Sequence, residues 1–236
     1  MNAYSVMIAI GAGLGLLQVH AAAPAKQAGQ WVNAALLALA CALVGARLGF
    51  VALHAAYFAA FPVQIPQVWL GGLSWPGALA GGLLAVWLAS RALEVSLGRA
   101  ADILALLAPP LAVAAWLGSW QVGGSCGFLL PARVWWGIPC MDEAGVVGQH
   151  WPVQPAAALS LLASFAALEL RQEKKSAPGR QASLIGLVFA ANQVLFSILV
   201  STSSPLWLGL RPDIWAAILL MVLCGIIFGI RKLTVT

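Results

Sequence analysis

Long apolar runs separated by short polar connections dominate the chain from end to end. A helix needs about 20 largely apolar residues to cross the hydrocarbon core of a bilayer. Apolar runs of about that length recur along the whole sequence, and one connection, from Gly123 to Pro152, is much longer than the others. The pattern predicts an all-α, polytopic membrane protein with seven spans: Ala3–His20, Trp31–His54, Gly72–Ser90, Ala101–Val122, Val153–Leu170, Ser183–Val200 and Ile214–Ile230.

Composition supports this class. Of the 236 residues, 62% are hydrophobic and 8% are charged, whereas a soluble domain carries about 25% charged residues. We therefore treat residues 1–236 as one integral-membrane domain whose solvent is largely lipid, and expect no nucleic-acid partner. The first apolar run has no basic leading segment, so we expect no cleaved signal peptide.

The basic residues predict an orientation. With seven spans, successive connections face opposite sides of the membrane, and the side richer in Lys and Arg is the cytoplasmic one. Two basic residues, Arg133 and Arg211, fall on one side, and Arg47 falls inside the second span. This places the N-terminus and the 123–152 loop outside and the C-terminus in the cytoplasm. The basic residues on the cytoplasmic side are Lys26, Arg91, Arg99, Arg171, Lys174, Lys175, Arg180, Arg231 and Lys232.

Glycines crowd the start of the third span, from Gly71 to Gly82. Glycine weakens a helix, so we expect these glycines to serve a purpose other than plain packing. A glycine-rich helix start lets another backbone, or a lipid headgroup, come very close. Its free N–H groups also suit an anion such as phosphate. The stretch is therefore a candidate mouth of a lipid site.

Arg47 is the basic residue that lies deepest in a predicted span. A charge inside lipid is costly unless it is paired or hydrated. Its guanidinium could grip a lipid phosphate through two hydrogen bonds. Alternatively, it is structural and pairs with backbone carbonyls or with an acid such as Asp102. We interpret Asp102 itself as a helix-start carboxylate favoured by the helix dipole.

The four cysteines divide between spans and loop. Cys41 and Cys224 lie within spans, where free cysteine behaves as a small apolar residue. Cys126 and Cys140 share the outer loop, where they form either a disulfide, favoured by an oxidising compartment, or two unpaired thiols. No spacing of Cys and His suggests a metal site, and we expect no cofactor. We interpret the three histidines (His20, His54 and His150) as polar residues at span ends, and Asp142 with Glu143 as solvated loop acids.

Several short motifs resemble those of the prolipoprotein diacylglyceryl transferases. The run Gly-Ala-Arg-Leu-Gly-Phe-Val from Gly45 to Val51 is similar to one of them, and so is the stretch from Pro62 to Ser74 before the glycine-rich span. The resemblance implies seven spans with an outer N-terminus, which agrees with the charge distribution. Further matches, weaker beyond about residue 127, are Asp102 with Pro109, Leu117–Gly118 with Gly123, and Pro152 with Gln154.

The resemblance also implies a chemistry. That family moves a diacylglyceryl group from phosphatidylglycerol to the thiol of a lipobox cysteine, which implies a phosphate grip and a group that activates the thiol. This sequence differs from the family's motifs at the positions that would carry those functions. Pro76 stands where the family has a histidine, Trp116 where it has an arginine and Ser119 where it has an asparagine. Gln193 and Ser197 best match a later arginine and glutamate.

Two functions follow as expectations. The favoured one is a non-catalytic relative that holds phospholipid, phosphatidylglycerol by the resemblance, in a family-type cavity of the bacterial inner membrane, as an accessory subunit of a membrane complex. The alternative is an active transferase that modifies a prolipoprotein cysteine. We assign no catalytic residue. The candidate lipid-binding residues are Tyr4, Arg47, Gly72, Ser74, Gly77, Gly118, Ser119, Gln154, Asn192 and Gln193.

Overall fold

The structure is a computed structural model that describes residues 3–121, 123, 125–141, 145, 147–170, 177–201 and 206–233. The described chain is mostly helical. In chain order, the helices are α1 (Ala3–Ala22), α2 (Ala28–Leu53), α3 (Ala55–Ala60), α4 (Trp75–Ala92), α5 (Leu97–Leu104), α6 (Ala108–Gln121), α7 (Val153–Leu170), α8 (Arg180–Ser197) and α9 (Pro212–Leu233). Two strands, β1 (Ile138–Met141) and β2 (Val147–His150), lie between α6 and α7.

Helices occupy each region where the hydrophobic pattern predicts a span. Among the described residues, five helical segments are long and apolar enough to cross a membrane: Ala3–Ala22, Ala25–Leu53, Leu97–Gln121, Val153–Leu170 and Pro212–Arg231. The two other long helices, α4 and α8, have 18 residues each, and each includes an arginine, Arg91 in α4 and Arg180 in α8. The chain is thus an all-α, multi-pass membrane protein.

The fourth predicted span is not one continuous α-helix. It consists of α5, a 3-10 turn at Ala105–Leu107, and α6. Pro109 and Pro110 lie in the first turn of α6, where their missing N–H groups cost no hydrogen bond within the helix. Because α5 begins at Leu97, Asp102 lies in its second half and outside its first turn. Our interpretation of Asp102 as a helix-start carboxylate is therefore wrong.

The chain packs as two compact units. One comprises Val19–Leu104, and the other comprises Met1–Gln18 with Ala105–Thr236. In the first unit, α2 packs along α4, and α4 packs on α5. In the second unit, α6, α7 and α8 surround a buried apolar cluster and α9 packs on α8.

The connection between α6 and α7 is a folded segment. Cys126 and Cys140 form a disulfide with their Cα atoms 6.0 Å apart. β1 and β2 pair antiparallel, with Ile138 opposite His150. The Ser201 amide, just after α8, donates to the Cys126 carbonyl at 2.8 Å. The hydrophobic pattern did not predict this hairpin because its strands are short and do not alternate apolar and polar residues.

Candidate functional site

Arg47, on α2, donates hydrogen bonds to four backbone carbonyls of the loop that follows. Its Nε bonds to the Ile65 oxygen at 2.8 Å and its Nη2 to the Gln64 oxygen at 2.6 Å. Its Nη1 bonds to the oxygens of Gly71, at 2.5 Å, and Gly72, at 3.1 Å. A guanidinium has five N–H donors, so four of them serve this loop. The side chain is 6% exposed.

The loop is shaped to receive the guanidinium. Gly71 and Gly72 have φ values of 85° and 73°, a region that residues with a side chain rarely adopt. These two conformations bring both carbonyl oxygens onto one nitrogen of Arg47. The Tyr57 hydroxyl also donates to Gln64 Oε1 at 2.8 Å. The loop carbonyls and the charge therefore compensate each other, and no acidic side chain in the described part of the chain pairs with Arg47.

Two aromatic rings lie close to the Arg47 guanidinium. The guanidinium carbon of Arg47 lies 5.2 Å from the ring centre of Phe58 and 5.9 Å from that of Phe50. Cation–π contacts of this kind stabilise a desolvated cation. His54 stacks on Phe50 at 4.1 Å between ring centres and lies at the end of α2, as predicted for a span-end residue.

The glycines of the predicted mouth hold two helices together. A methyl group added to Gly77 on α4 would overlap the carbonyl of Gly45 on α2, and one added to Gly81 would overlap the carbonyl of Cys41. A methyl group on Gly49 would lie 3.0 Å from the Cα of Gly77. Spacings of Gly-x3-Gly on both helices produce this contact. Of the two partners expected for these glycines, another backbone or a lipid headgroup, Gly77 and Gly81 meet a backbone.

Ser74 and Gly72 belong to the same junction. The Ser74 amide donates to the Ala46 carbonyl at 3.0 Å, just before α4 begins. A methyl group on Gly72 would overlap the Phe50 ring. Four candidate lipid-binding residues therefore lie together, and the contacts that the structure gives them are with backbone and side chains of the protein. Of the two interpretations of Arg47, the geometry favours pairing with backbone carbonyls.

The other candidates lie in the second unit, and most of them contact neighbouring helices. A methyl group on Gly118 would lie 2.9 Å from the Tyr4 ring. Ser119 Oγ donates to the Ala115 carbonyl at 3.0 Å, one turn back on the same helix. Both residues thus fulfil roles within α6 or between α6 and α1.

Two amides lie at the contact between α7 and α8. Gln154 is fully buried on α7. Asn192, 5% exposed on α8, donates from Nδ2 to the Ala157 carbonyl at 3.2 Å. Its Oδ1 is buried and accepts no hydrogen bond from the residues that the structure describes. The neighbouring Gln193 is half-buried. Asn192 Oδ1 is thus a buried acceptor available to a hydroxyl group.

Positions where the resemblance expects charge hold apolar or rigid groups. Pro76 lies in the first turn of α4. Trp116 is 9% exposed and packs in the cluster between α6 and α7, with its ring 6.5 Å from that of Phe196. Among the described residues, no three His, Cys, Asp or Glu side chains cluster as metal ligands.

His150 lies just before α7, near the end of a span as predicted, and it is buried. It ends β2, is 1% exposed, and its Nδ1 lies 2.8 Å from the Gly127 carbonyl oxygen. The neighbouring hairpin buries it, which local composition could not indicate. Cys224 is buried as predicted, while Cys41 is half-buried. The acids Asp142 and Glu143 lie outside the described residues.

Comparisons with known proteins agree with the motifs. The family model of prolipoprotein diacylglyceryl transferase matches residues 1–231. A phosphatidylglycerol–prolipoprotein diacylglyceryl transferase of Nitratidesulfovibrio vulgaris (strain Miyazaki F) is 31% identical over 149 residues, which is 63% of this chain and 55% of that protein. A protein of the same name from Rhodospirillum rubrum is 43% identical over 68 residues, 28% of this chain and 25% of its own length.

A third relative of that name, from Solidesulfovibrio magneticus, is 33% identical over 160 residues, which is 67% of this chain and 58% of the relative. The matched region thus spans little more than half the length of the first of these relatives. The resemblance drawn from the motifs is confirmed at the level of the family.

Proposed function

We infer that this chain, which belongs to the prolipoprotein diacylglyceryl transferase family, holds a membrane phospholipid without transferring its diacylglyceryl group. The observation that carries this proposal is the set of hydrogen bonds that Arg47 donates to the protein's own backbone. Arg47 is the one family-matched arginine inside a span, and four of its donors bond to backbone carbonyls. A guanidinium committed in this way is not presented to a phosphodiester.

The residues at the other matched positions support the same conclusion. Proline at position 76 cannot transfer a proton, and Trp116 fills an apolar cluster where an arginine is expected. An oriented charged donor in a catalytic site is worth about 10²–10³ in rate. The chain has no Arg or Glu from Gln181 to Leu210, where the family has a further pair.

Lipid holding is supported by the amides between α7 and α8. Asn192 Oδ1 is a buried acceptor at the contact between α7 and α8, and a buried polar group is costly unless it is satisfied. The glycerol hydroxyl of phosphatidylglycerol is a donor that would satisfy it. Gln154 and Gln193 lie on the same two helices, and Tyr4, Gly118 and Ser119 belong to the same unit.

We propose seven spans, with the N-terminus outside and the C-terminus in the cytoplasm of a bacterial inner membrane. The asymmetry of the basic residues supports this orientation. In this arrangement α4 and α8 cross the membrane shielded by α2 and α9, with which they pack. We further propose that the chain serves as an accessory subunit of a membrane complex.

Lipid content tests the proposal. The chain is purified in mild detergent, extracted with organic solvent, and its phospholipid is measured per mole of folded protein. We expect Asn192→Leu to lower the phospholipid retained by about fivefold, the worth of one buried hydrogen bond. Asn33→Leu, which removes an exposed amide on α2, is the matched control and should retain it. Wild-type protein free of lipid, or equal retention by both variants, would refute it.

An active transferase is the second candidate. The observation in its favour is that the curated relatives at 31–43% identity carry the name phosphatidylglycerol–prolipoprotein diacylglyceryl transferase. In that case phosphatidylglycerol and a prolipoprotein would be the substrates. Transfer of labelled glycerolipid to a lipobox peptide discriminates the two functions.

A further inference from the structure

A short turn immediately before α9 exposes three consecutive large apolar side chains. Leu206 is 64% exposed, Trp207 60% and Leu208 93%. Exposure of apolar surface to water is unfavourable roughly in proportion to its area. Three such residues in a row at the tip of a turn mark a surface that contacts something apolar.

The turn has a defined conformation. The Trp207 amide donates to the Leu210 carbonyl at 2.7 Å, and the Leu210 amide donates back to Trp207 at 3.1 Å. The indole Nε1 of Trp215, on α9, donates to the same Trp207 carbonyl at 2.8 Å. The backbone that carries the exposed side chains is therefore tied to the first turn of α9.

The backbone conformation of Leu208 is also unfavourable. Its φ of 50° lies in the left-handed region, which glycine and asparagine adopt readily and leucine does not. A turn with no further role would be more stable with asparagine at this position. The presence of a strained and exposed leucine points to a contact made by its side chain.

The position of the turn identifies the contact. The apolar segment Pro212–Arg231 has 20 residues, which gives a length of about 30 Å, close to the thickness of the hydrocarbon core. Pro212 therefore lies at the membrane boundary, and a five-residue turn before it lies at headgroup depth. Tryptophan is enriched at this depth. Arg211 and Asp213 form a bidentate ion pair at 3.0 and 2.7 Å, so the base of the turn carries no unpaired charge.

We propose that the 206–210 turn is a membrane anchor, with Leu208 inserted into the leaflet at the N-terminal end of α9. α9 also exposes large apolar side chains, among them Trp215, Leu219 and Val222, so lipid that contacts α9 can also contact the turn. The anchor fixes the position of α9 in depth. It does not depend on whether the chain is catalytic.

Cysteine accessibility tests the insertion. In a background with Cys41→Ala and Cys224→Ala, Leu208→Cys and Arg133→Cys are each reconstituted in nanodiscs of phosphatidylcholine and phosphatidylglycerol. Arg133 is an exposed charged residue of the 123–152 loop. We expect a water-soluble maleimide to react with position 208 about tenfold more slowly than with position 133, since burial of one leucine is worth at least that factor.

Equal rates in nanodiscs would overturn the proposal. Protection that appears only in native membranes would also overturn it, because a protein partner would then cover the turn. Leu208→Asn gives a second test that does not depend on labelling. Asparagine relieves the backbone strain, so a turn without a lipid contact would keep or raise its unfolding temperature in nanodiscs. The anchor predicts a lower unfolding temperature in nanodiscs.

Discussion

Gly45 on α2 and Gly77 on α4 meet backbone to backbone: a methyl group added to either glycine would overlap the carbonyl oxygen of the other. This contact brings the start of α4 against the turn of α2 that carries Arg47. The loop between the helices then wraps its carbonyls around the guanidinium. The glycine contact and the arginine form one structural junction.

Substitution of the packed glycine should destabilise the protein. We expect Gly77→Ala to lower the free energy of unfolding by about 1–3 kcal/mol, because the methyl group forces the helices apart. Gly82→Ala is the matched control on the same helix, since a methyl group there meets nothing within 4 Å. It should be neutral or stabilising by up to about 1 kcal/mol. Thermal unfolding in detergent measures both, and equal effects would contradict the contact.

Replacement of Arg47 separates a structural role from a lipid role. Lysine keeps the charge but cannot reach four carbonyls in a planar fork. We expect Arg47→Lys to cost about 2–4 kcal/mol through carbonyls left unsatisfied, while the phospholipid retained per folded molecule stays unchanged.

The matched control for this substitution is Arg91→Lys. Arg91 is exposed and stacks on Trp87 at 5.9 Å, so its replacement should change stability by less than about 0.5 kcal/mol. Normal stability of Arg47→Lys combined with loss of bound phospholipid would show that Arg47 grips a phosphate.

Restoration of the family's arginine should harm the protein rather than activate it. Trp116 is packed among apolar side chains, and a charge placed there without a partner would be buried. We expect Trp116→Arg to cost at least about 3 kcal/mol or to prevent folding. Trp120→Arg, on the same helix but with Trp120 40% exposed, should fold because its charge can reach water. A stable Trp116→Arg protein would mean that this site is polar.

The helix positions could be predicted from the sequence, whereas the partners of Arg47 could not. Apolar runs of membrane length are enough to place the long helices. The route of the loop depends on positive φ values at Gly71 and Gly72, which leave no periodic pattern. The glycines allow a close approach either of another backbone or of a lipid headgroup, and only the facing helix distinguishes the two.

The packing partners of Trp116 and His150 could not be predicted from the sequence, for a related reason. Both are buried by segments distant in the chain: Trp116 by Phe196, and His150 through the bond to Gly127. Local composition records the residue type but not the packing partner. Five of the predicted spans meet the length and apolarity of a membrane helix among the described residues. The seven-span count and the orientation stay predictions.

Transfer activity decides whether this chain is catalytic. The purified chain is incubated with phosphatidylglycerol labelled in its acyl chains and a lipobox peptide, with the Nitratidesulfovibrio vulgaris relative in a parallel reaction. We predict no labelled peptide above the protein-free background, while the relative labels its peptide. A rate within about a hundredfold of the relative's, the loss expected for one missing charged donor, would contradict a non-catalytic role and establish this chain as a transferase.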